Sequence, residues 1–254
     1  EKTYDFYFLQ LDSILEAFYI TILISCSVIL IELFFVGWKN SSLKSLFKPS
    51  ESTLIDVFSF LLYSTSLIII IAAILSLGIP YFAKTLFFSE TLFEAGEYLP
   101  IWVHLFLYLI ILDFIHYWQH RLMHRVSPLW EIHKFHHSAK EMNVITVYRE
   151  HPLDKALLAL TSVIPIFLLG RPVGDFIVFF AFYNSIGFFK HSRLPWTLGW
   201  FGKYIIQSPR DHWIHHSQSR EHHDKNFANN FAIWDHIFGT YYDGDNQNAE
   251  LGLK

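Results

Sequence analysis

The sequence runs to 254 residues, 52% of them hydrophobic and 19% aromatic against 17% charged, with a net charge of −4. Without a basic tract or zinc-finger spacing, that charge leaves no electrostatic footprint for nucleic acid. The single cysteine, Cys26, excludes an intrachain disulfide and a cysteine-held iron–sulfur cluster. The apolar residues fall in long blocks between short polar loops, and mean hydropathy is +0.30, the pattern of a chain that crosses a membrane.

Residues 1–13 mix polar and aromatic side chains and are expected to form an interfacial helix. The first apolar block, 14–36, is interrupted only by Glu16 and Glu32; at 1.5 Å per residue it reaches about 34 Å, enough for a bilayer core. A loop over 37–52 carries Lys39, Lys44 and Lys48, and a second span is predicted at 54–79, ending at Pro80. The connection 81–100 has Lys84 but also Glu90, Glu94 and Glu97, so the lysine excess puts 37–52 on the cytoplasmic side. A third span, 101–117, returns the chain to that side. Two further apolar stretches, 156–170 and 173–189, meet at Gly170, Arg171 and Pro172. They read as two tightly joined spans or as a hairpin over 156–189 that dips into the leaflet. The predicted fold is all-α: one membrane-embedded domain with about four transmembrane helices and a cytoplasmic, histidine-rich helical cap from 118–155 and 190–242. The end, 243–254, reads as a loosely held tail.

Nine of the 15 histidines crowd into two windows, His116 to His137 and His212 to His216. Protonated imidazoles repel one another, so such crowding calls for a metal or a set of acceptors that keeps the rings neutral. His116, His120 and His124 recur every four residues, one face of a helix. His133, His136 and His137 form an H-x-x-H-H pattern whose first and third members share a face, and His212, His215 and His216 repeat it. About eight nitrogens are too many for one tetrahedral zinc and suit two ions in a shared cage. Thiolate-free nitrogen ligation is compatible with iron, zinc, copper or nickel, so spacing alone leaves the metal open. Asp113 lies three residues before His116 and seven before His120, on the same helical face, where it is expected to orient a ligand from behind. The lone His104 reads as a packing residue, His151 as a loop-ordering one and His236 as structural. Arg121, Arg125, Arg149 and Arg210 are candidates to meet a lipid headgroup or an acidic patch on a donor. No Rossmann fingerprint or Walker loop occurs, and no nicotinamide, flavin or haem site is evident.

The run DFIHYWQHRLMHRVSPLWEIHKFHHS, followed by QSPRDHWIHHS and NFANNFAIWDHIFGTYY, resembles the fatty acid hydroxylase and sterol desaturase superfamily of integral-membrane histidine-box oxygenases, over about residues 99–242. The resemblance implies a first box on His120 and His124, a second on His133, His136 and His137, and a third on His212, His215 and His216. It further implies recruited ligands, with His191 the first choice and His223 the second; His222 stands beside His223 as its substitute, and His116 is either a further ligand or a residue behind the ligands. No catalytic side chain is implied beyond the ligands.

The same resemblance implies two iron ions, for which zinc can substitute in purified protein, and dioxygen as cosubstrate. It implies a membrane lipid substrate and a separate electron donor, such as a cytochrome or a ferredoxin with its reductase. The reaction expected is hydroxylation of a C–H bond in a fatty acyl or sterol-like lipid; desaturation and alkylglycerol-type ether oxidation are the alternatives. A membrane zinc hydrolase, for which H-E-x-x-H is absent, and a metal transporter stand behind these. The expected location is a bacterial inner membrane or the endoplasmic reticulum, multi-pass, with the active site on the cytoplasmic side. The oligomeric state is left open.

Overall fold

A computed structural model describes residues 2–79, 98–170, 176–244 and 250–253. The described residues are helical and form no sheet; extended backbone pairs only at two isolated bridges, Ile206 with Phe231 and Ser217 with Leu251. In chain order the helices are α1 (Lys2–Asn40), α2 (Ser42–Phe47), α3 (Glu51–Ser64), α4 (Leu67–Leu75), α5 (Ile101–Arg125), α6 (Ser127–His137), α7 (Pro152–Thr161), α8 (Ile164–Leu169), α9 (Phe176–Lys190), α10 (Gly199–Tyr204), α11 (Pro209–His215) and α12 (Ile233–Ile237), with a 3-10 turn at Val144–Tyr148.

Three stretches are long and apolar enough to cross a membrane: Tyr19–Asn40, Ile101–Arg125 and Pro152–Leu169. The bent pair α3 and α4 is either a broken fourth span or a re-entrant loop, and this all-α chain is a multi-span membrane protein. The straight span expected over 54–79 is instead two helices bent by 75°, broken where Ser66 adopts a left-handed φ of 59°. α5 continues without interruption from the predicted third span through His116, His120 and His124. The first arm of the predicted hairpin begins earlier than expected, at Pro152, where the His151 ring accepts the Leu153 N–H as an N-cap. The predicted stop at Pro80, most of the 81–100 connection, and the Arg171 and Pro172 part of the hairpin turn lie outside the described residues.

The helices are built inside out. Their outer faces are apolar, with Phe34 82% and Trp102 70% exposed, whereas Glu32, Ser52, Thr53, Asp56, Asp113 and His116 are buried. In a hydrocarbon solvent apolar burial gains little, so buried polar contacts join the helices alongside apolar clusters such as Val28 with Val144 and Phe188. Glu32 of α1 accepts from the Ser42 N–H at 2.9 Å, the Ser42 hydroxyl at 3.0 Å and the Arg193 N–H at 3.1 Å. Arg193 in turn donates to Glu141 at 2.7 Å.

Asp56 of α3 receives Asn143 Nδ2 at 2.7 Å, Thr146 Oγ1 at 2.9 Å and Arg149 Nε at 2.6 Å. Arg149 is fully buried; it also donates to the Ser138 hydroxyl at 3.1 Å and to Ser52. That overturns its reading as a headgroup or donor contact: the guanidinium is consumed by Asp56 and Ser52, and nothing of it reaches the surface.

The tail differs from expectation as well. The Gln218 N–H donates to Glu250 O at 2.9 Å and Gln218 Nε2 to Leu251 O at 2.7 Å, so the last described residues are pinned beside the third histidine box.

Removing one partner of a buried ion pair strands the other charge, at a cost of about 3–5 kcal/mol. Asp56→Ala is therefore expected to lower the midpoint of thermal unfolding in detergent sharply. The double replacement Asp56→Leu with Arg149→Met should recover most of the loss; an Asp56→Ala protein as stable as the parent would show that the pair does not join these helices.

Candidate metal centre

The ring nitrogens gather into two groups. In the first, His120, His124, His133, His137 and His215 each offer a nitrogen within 4.8 Å of all the others; in the second, His136, His191, His212 and His216 do the same. Helix geometry explains the division. His133 and His137, four residues apart on α6, share a face, and the intervening His136 turns to the other group. In the third box the same rule runs the other way: His212 and His216 join the second group while His215 turns to the first. Each adjacent histidine pair thus divides itself between the two groups. His137 and His216 stack across the boundary with centroids 4.3 Å apart and planes 19° from parallel.

Backbone carbonyls set the tautomers. His120 Nδ1 lies 2.8 Å from Phe227 O, His215 Nδ1 2.8 Å from Lys225 O, His136 Nδ1 3.2 Å from Arg149 O and His191 Nδ1 2.7 Å from Gly187 O. A carbonyl can only accept, so each of these Nδ1 atoms carries the proton and each Nε2 carries a lone pair. His133 Nδ1 faces the Asp154 carboxylate at 3.0 Å, with the same result.

The five Nε2 atoms of the first group are buried without a hydrogen-bond partner. In the second, the lone pairs of His136 and His191 confront each other at 3.4 Å, and His212 Nε2 lies 3.0 Å from His191 Nε2. Two nitrogens about 2.1 Å from one ion, at angles of about 90–110°, stand about 3.0–3.4 Å apart. Buried orphaned lone pairs are costly unless a cation receives them. The residues fit two metal ions, one for each group.

Electrostatics point the same way. Burial, followed by the like charge of neighbouring rings, holds His136, His137, His212 and His216 well below the ordinary histidine range. Burial brings His215 down to about 3, and burial with the Lys190 ammonium brings His191 to about 3. The rings are neutral, the form that ligates.

His116, His222 and His223 belong to neither group. His116 is buried on α5, with its Nδ1 3.5 Å from Asn229 Nδ2. His222 sits in a 3-10 turn, its Nδ1 2.8 Å from the Ser217 hydroxyl, and His223 beside it is exposed. Asp113 does not back a histidine: it accepts from the Asn230 and Phe231 N–H groups at 3.0 and 2.9 Å, from Trp234 Nε1 at 3.0 Å and from the Tyr183 hydroxyl. Asp235 cinches the neighbouring stretch, accepting from Phe227 and Ala228 N–H at 2.8 and 2.9 Å. Together they fix the loop whose carbonyls hold His120 and His215. The carboxylate that does face a box histidine, Asp154, carried no signal in its spacing. His236 is structural, stacked between Tyr204 and Tyr241.

For His191 and His215 the folded value of about 3 lies below the free value of 6.5. Between those values the unfolded chain binds more protons, so stability is whole above pH 6.5 and drains away as pH falls through the window. The metal-free protein is expected to lose thermal stability steadily from pH 7 to pH 5 in a buffered detergent melt. A flat profile would mean that these rings protonate inside the fold.

The comparisons with known proteins come down on the same residues. The family described as Fatty acid hydroxylase matches 105–240, more than half of the chain and all of both groups. The chain is 33% identical over 143 residues to the ornithine lipid hydroxylase OlsE of Rhizobium tropici, covering 56% of this chain and 43% of that protein. It is 32% identical over 142 residues to the alkylglycerol monooxygenase of Homo sapiens, covering 56% and 31%. The fatty acid hydroxylase vlmA of a Lecanicillium species is 31% identical over 158 residues, covering 56% and 42%. The chain thus spans less than half the length of these relatives, and no solved structure matches it. On the family match over its histidine boxes, the chain belongs to the fatty acid hydroxylase family.

Proposed function

We propose that this protein is a membrane-embedded di-iron oxygenase that uses dioxygen to hydroxylate a C–H bond of a fatty acyl or sterol-like lipid. The observation that carries the reading is the pair of adjacent, all-imidazole groups with orphaned lone pairs, set at the end of a helix that begins as a membrane span. His120, His124, His133, His137 and His215 would hold one ion and His136, His191, His212 and His216 the other. Bound iron supplies the dioxygen activation and redox change that no side chain here provides.

The chain's own residues do the rest. The Phe227, Lys225, Arg149 and Gly187 carbonyls and the Asp154 carboxylate fix the rings in the ligating tautomer. Burial of the inward Nε2 atoms of the first group and of all four rings of the second would limit access of water and stray reductant. Similarity to alkylglycerol monooxygenases supports a second reading in which the C–H bond attacked is next to an ether oxygen; desaturation of the same chain is a further alternative. In either reading the substrate is a membrane lipid, electrons come from a separate cytochrome or ferredoxin system, and the positive-inside argument puts the histidine cap on the cytoplasmic side of a bacterial inner membrane or of the endoplasmic reticulum.

Protein expressed in isotopically enriched iron medium and purified without chelator should contain one iron for each group and give a coupled diferric Mössbauer signal. His136→Ala and His215→Ala should each abolish it. Labelled dioxygen should then enter a lipid in membranes that also supply the donor. Stoichiometric zinc, no iron and no oxygen-dependent product would sink the oxygenase and bring a hydrolase or transporter forward. Asp154→Asn is expected to weaken metal retention by about 10–100-fold in a chelator competition, the usual penalty for loosening the group behind a ligand.

A further inference from the structure

The underside of the cap carries an apolar surface that the metal chemistry does not use. Trp200 of α10 is 68% exposed and Ile237 of α12 58%, with Phe201, Ile205 and Ile233 exposed beside them. These residues form one patch, because α10 and α12 are stitched together: Ala232 N donates to Ile205 O at 3.1 Å, and Ile206 bridges Phe231. A connected apolar surface of this kind marks an interaction site.

What covers it follows from its two borders. On one side Trp196 meets Phe35 of α1, centroids 4.9 Å apart, and Phe35 and its neighbour Phe34 are exposed on a membrane-length helix. On the other, Trp234 and Phe238 meet Phe114 of α5 at 5.1 and 6.1 Å, and Phe114 continues the exposed face of Trp102 and Phe106. The patch is therefore continuous with the lipid-facing surfaces of two spans. Lys203 and Tyr204, three and four residues after Trp200 on the same face of α10, border the patch with the composition of a headgroup belt: Lys203 pairs with Asp243 at 2.5 Å and lies 5.7 Å from the centroids of Tyr204 and Tyr241.

We infer that α10 and α12 form an interfacial ledge immersed in the acyl–headgroup boundary of the leaflet from which α1 and α5 emerge, its partner being the phospholipid of that leaflet. The ledge sets the height of the centre. Phe114, where the ledge meets α5, precedes His120 by six residues, about 9 Å along the axis. A lipid carbon level with that contact has to rise by about that distance to come beside the first histidine group.

The test needs neither metal nor turnover, so its failure is separable from failure of the oxygenase reading. The full chain is prepared with Cys26→Ser, and single cysteines are introduced by Trp200→Cys, Ile237→Cys, Leu30→Cys on the outer face of α1, or Glu221→Cys on the exposed turn. Each variant is spin-labelled in phosphatidylethanolamine–phosphatidylglycerol nanodiscs. Labels at 200 and 237 are expected to collide several-fold more with oxygen than with a water-soluble nickel chelate, as at 30 and opposite to 221. In parallel, Trp200→Phe should lose part of the tryptophan quenching by brominated lipids. Labels at 200 and 237 that behave like 221 would overturn the ledge. So would labels shielded from both reagents and dipolar-broadened until diluted with unlabelled protein, which would identify a second copy as the occupant.

Discussion

The structure depends on keeping nine imidazoles uncharged while packed ring against ring. A single proton in this space would repel every neighbour at short range with little water to screen it. For five of the nine the protein meets the condition from behind: the outer nitrogens of His120, His133, His136, His191 and His215 are given to carbonyl and carboxylate oxygens, and that choice turns their inner lone pairs toward one group or the other. Because most of those oxygens belong to backbone in loops, the loops must be as rigid as the helices. Asp235 and Asp113 serve that requirement for the stretch after α11, and Asp56 with Arg149 serves it for the turn before α7.

The same requirement accounts for the inverted distribution of polarity. A chain surrounded by hydrocarbon gains little by hiding leucines, so besides apolar packing its helices meet through buried hydroxyls, carboxylates and guanidinium groups that hydrogen-bond to one another. The Glu32 cluster ties α1 to the approach to α10, and the Asp56 cluster ties α3 to the region after α6. These polar joints are far apart in sequence, Asp56 from Arg149 by 93 residues. They hold two membrane helices against the histidine cap.

Much of the centre was legible because helical periodicity is a local property. A spacing of four placed His133 with His137 and His212 with His216; that the middle histidine of each box turns to the other group was not read from the spacing. The run from span to first box likewise followed from uninterrupted apolar and then polar helix formers. The supporting contacts were not legible. Asp154 reaches His133, and the Phe227 carbonyl reaches His120, across folds of the chain that no spacing records. Asp113 was assigned to a histidine on its own helix face, but an acid there is closer to the Asn230–Trp234 turn that packs against α5. The bend at Ser66 was missed because the short run Ser64-Thr65-Ser66 lies inside a long apolar block and contains no proline or glycine to mark a break.

The joint between Asp56 and Arg149 bears on how such a chain can be rebuilt. Arg149 lies inside the region that matches the family, and Asp56 lies outside it. A histidine-bearing half of this kind cannot be grafted onto arbitrary anchoring helices: the new helices must deliver a carboxylate to one particular buried spot, or the arginine whose carbonyl holds His136 is left as an uncompensated charge. The arginine works as a socket, and a transplanted membrane anchor is compatible only if it brings the matching acid.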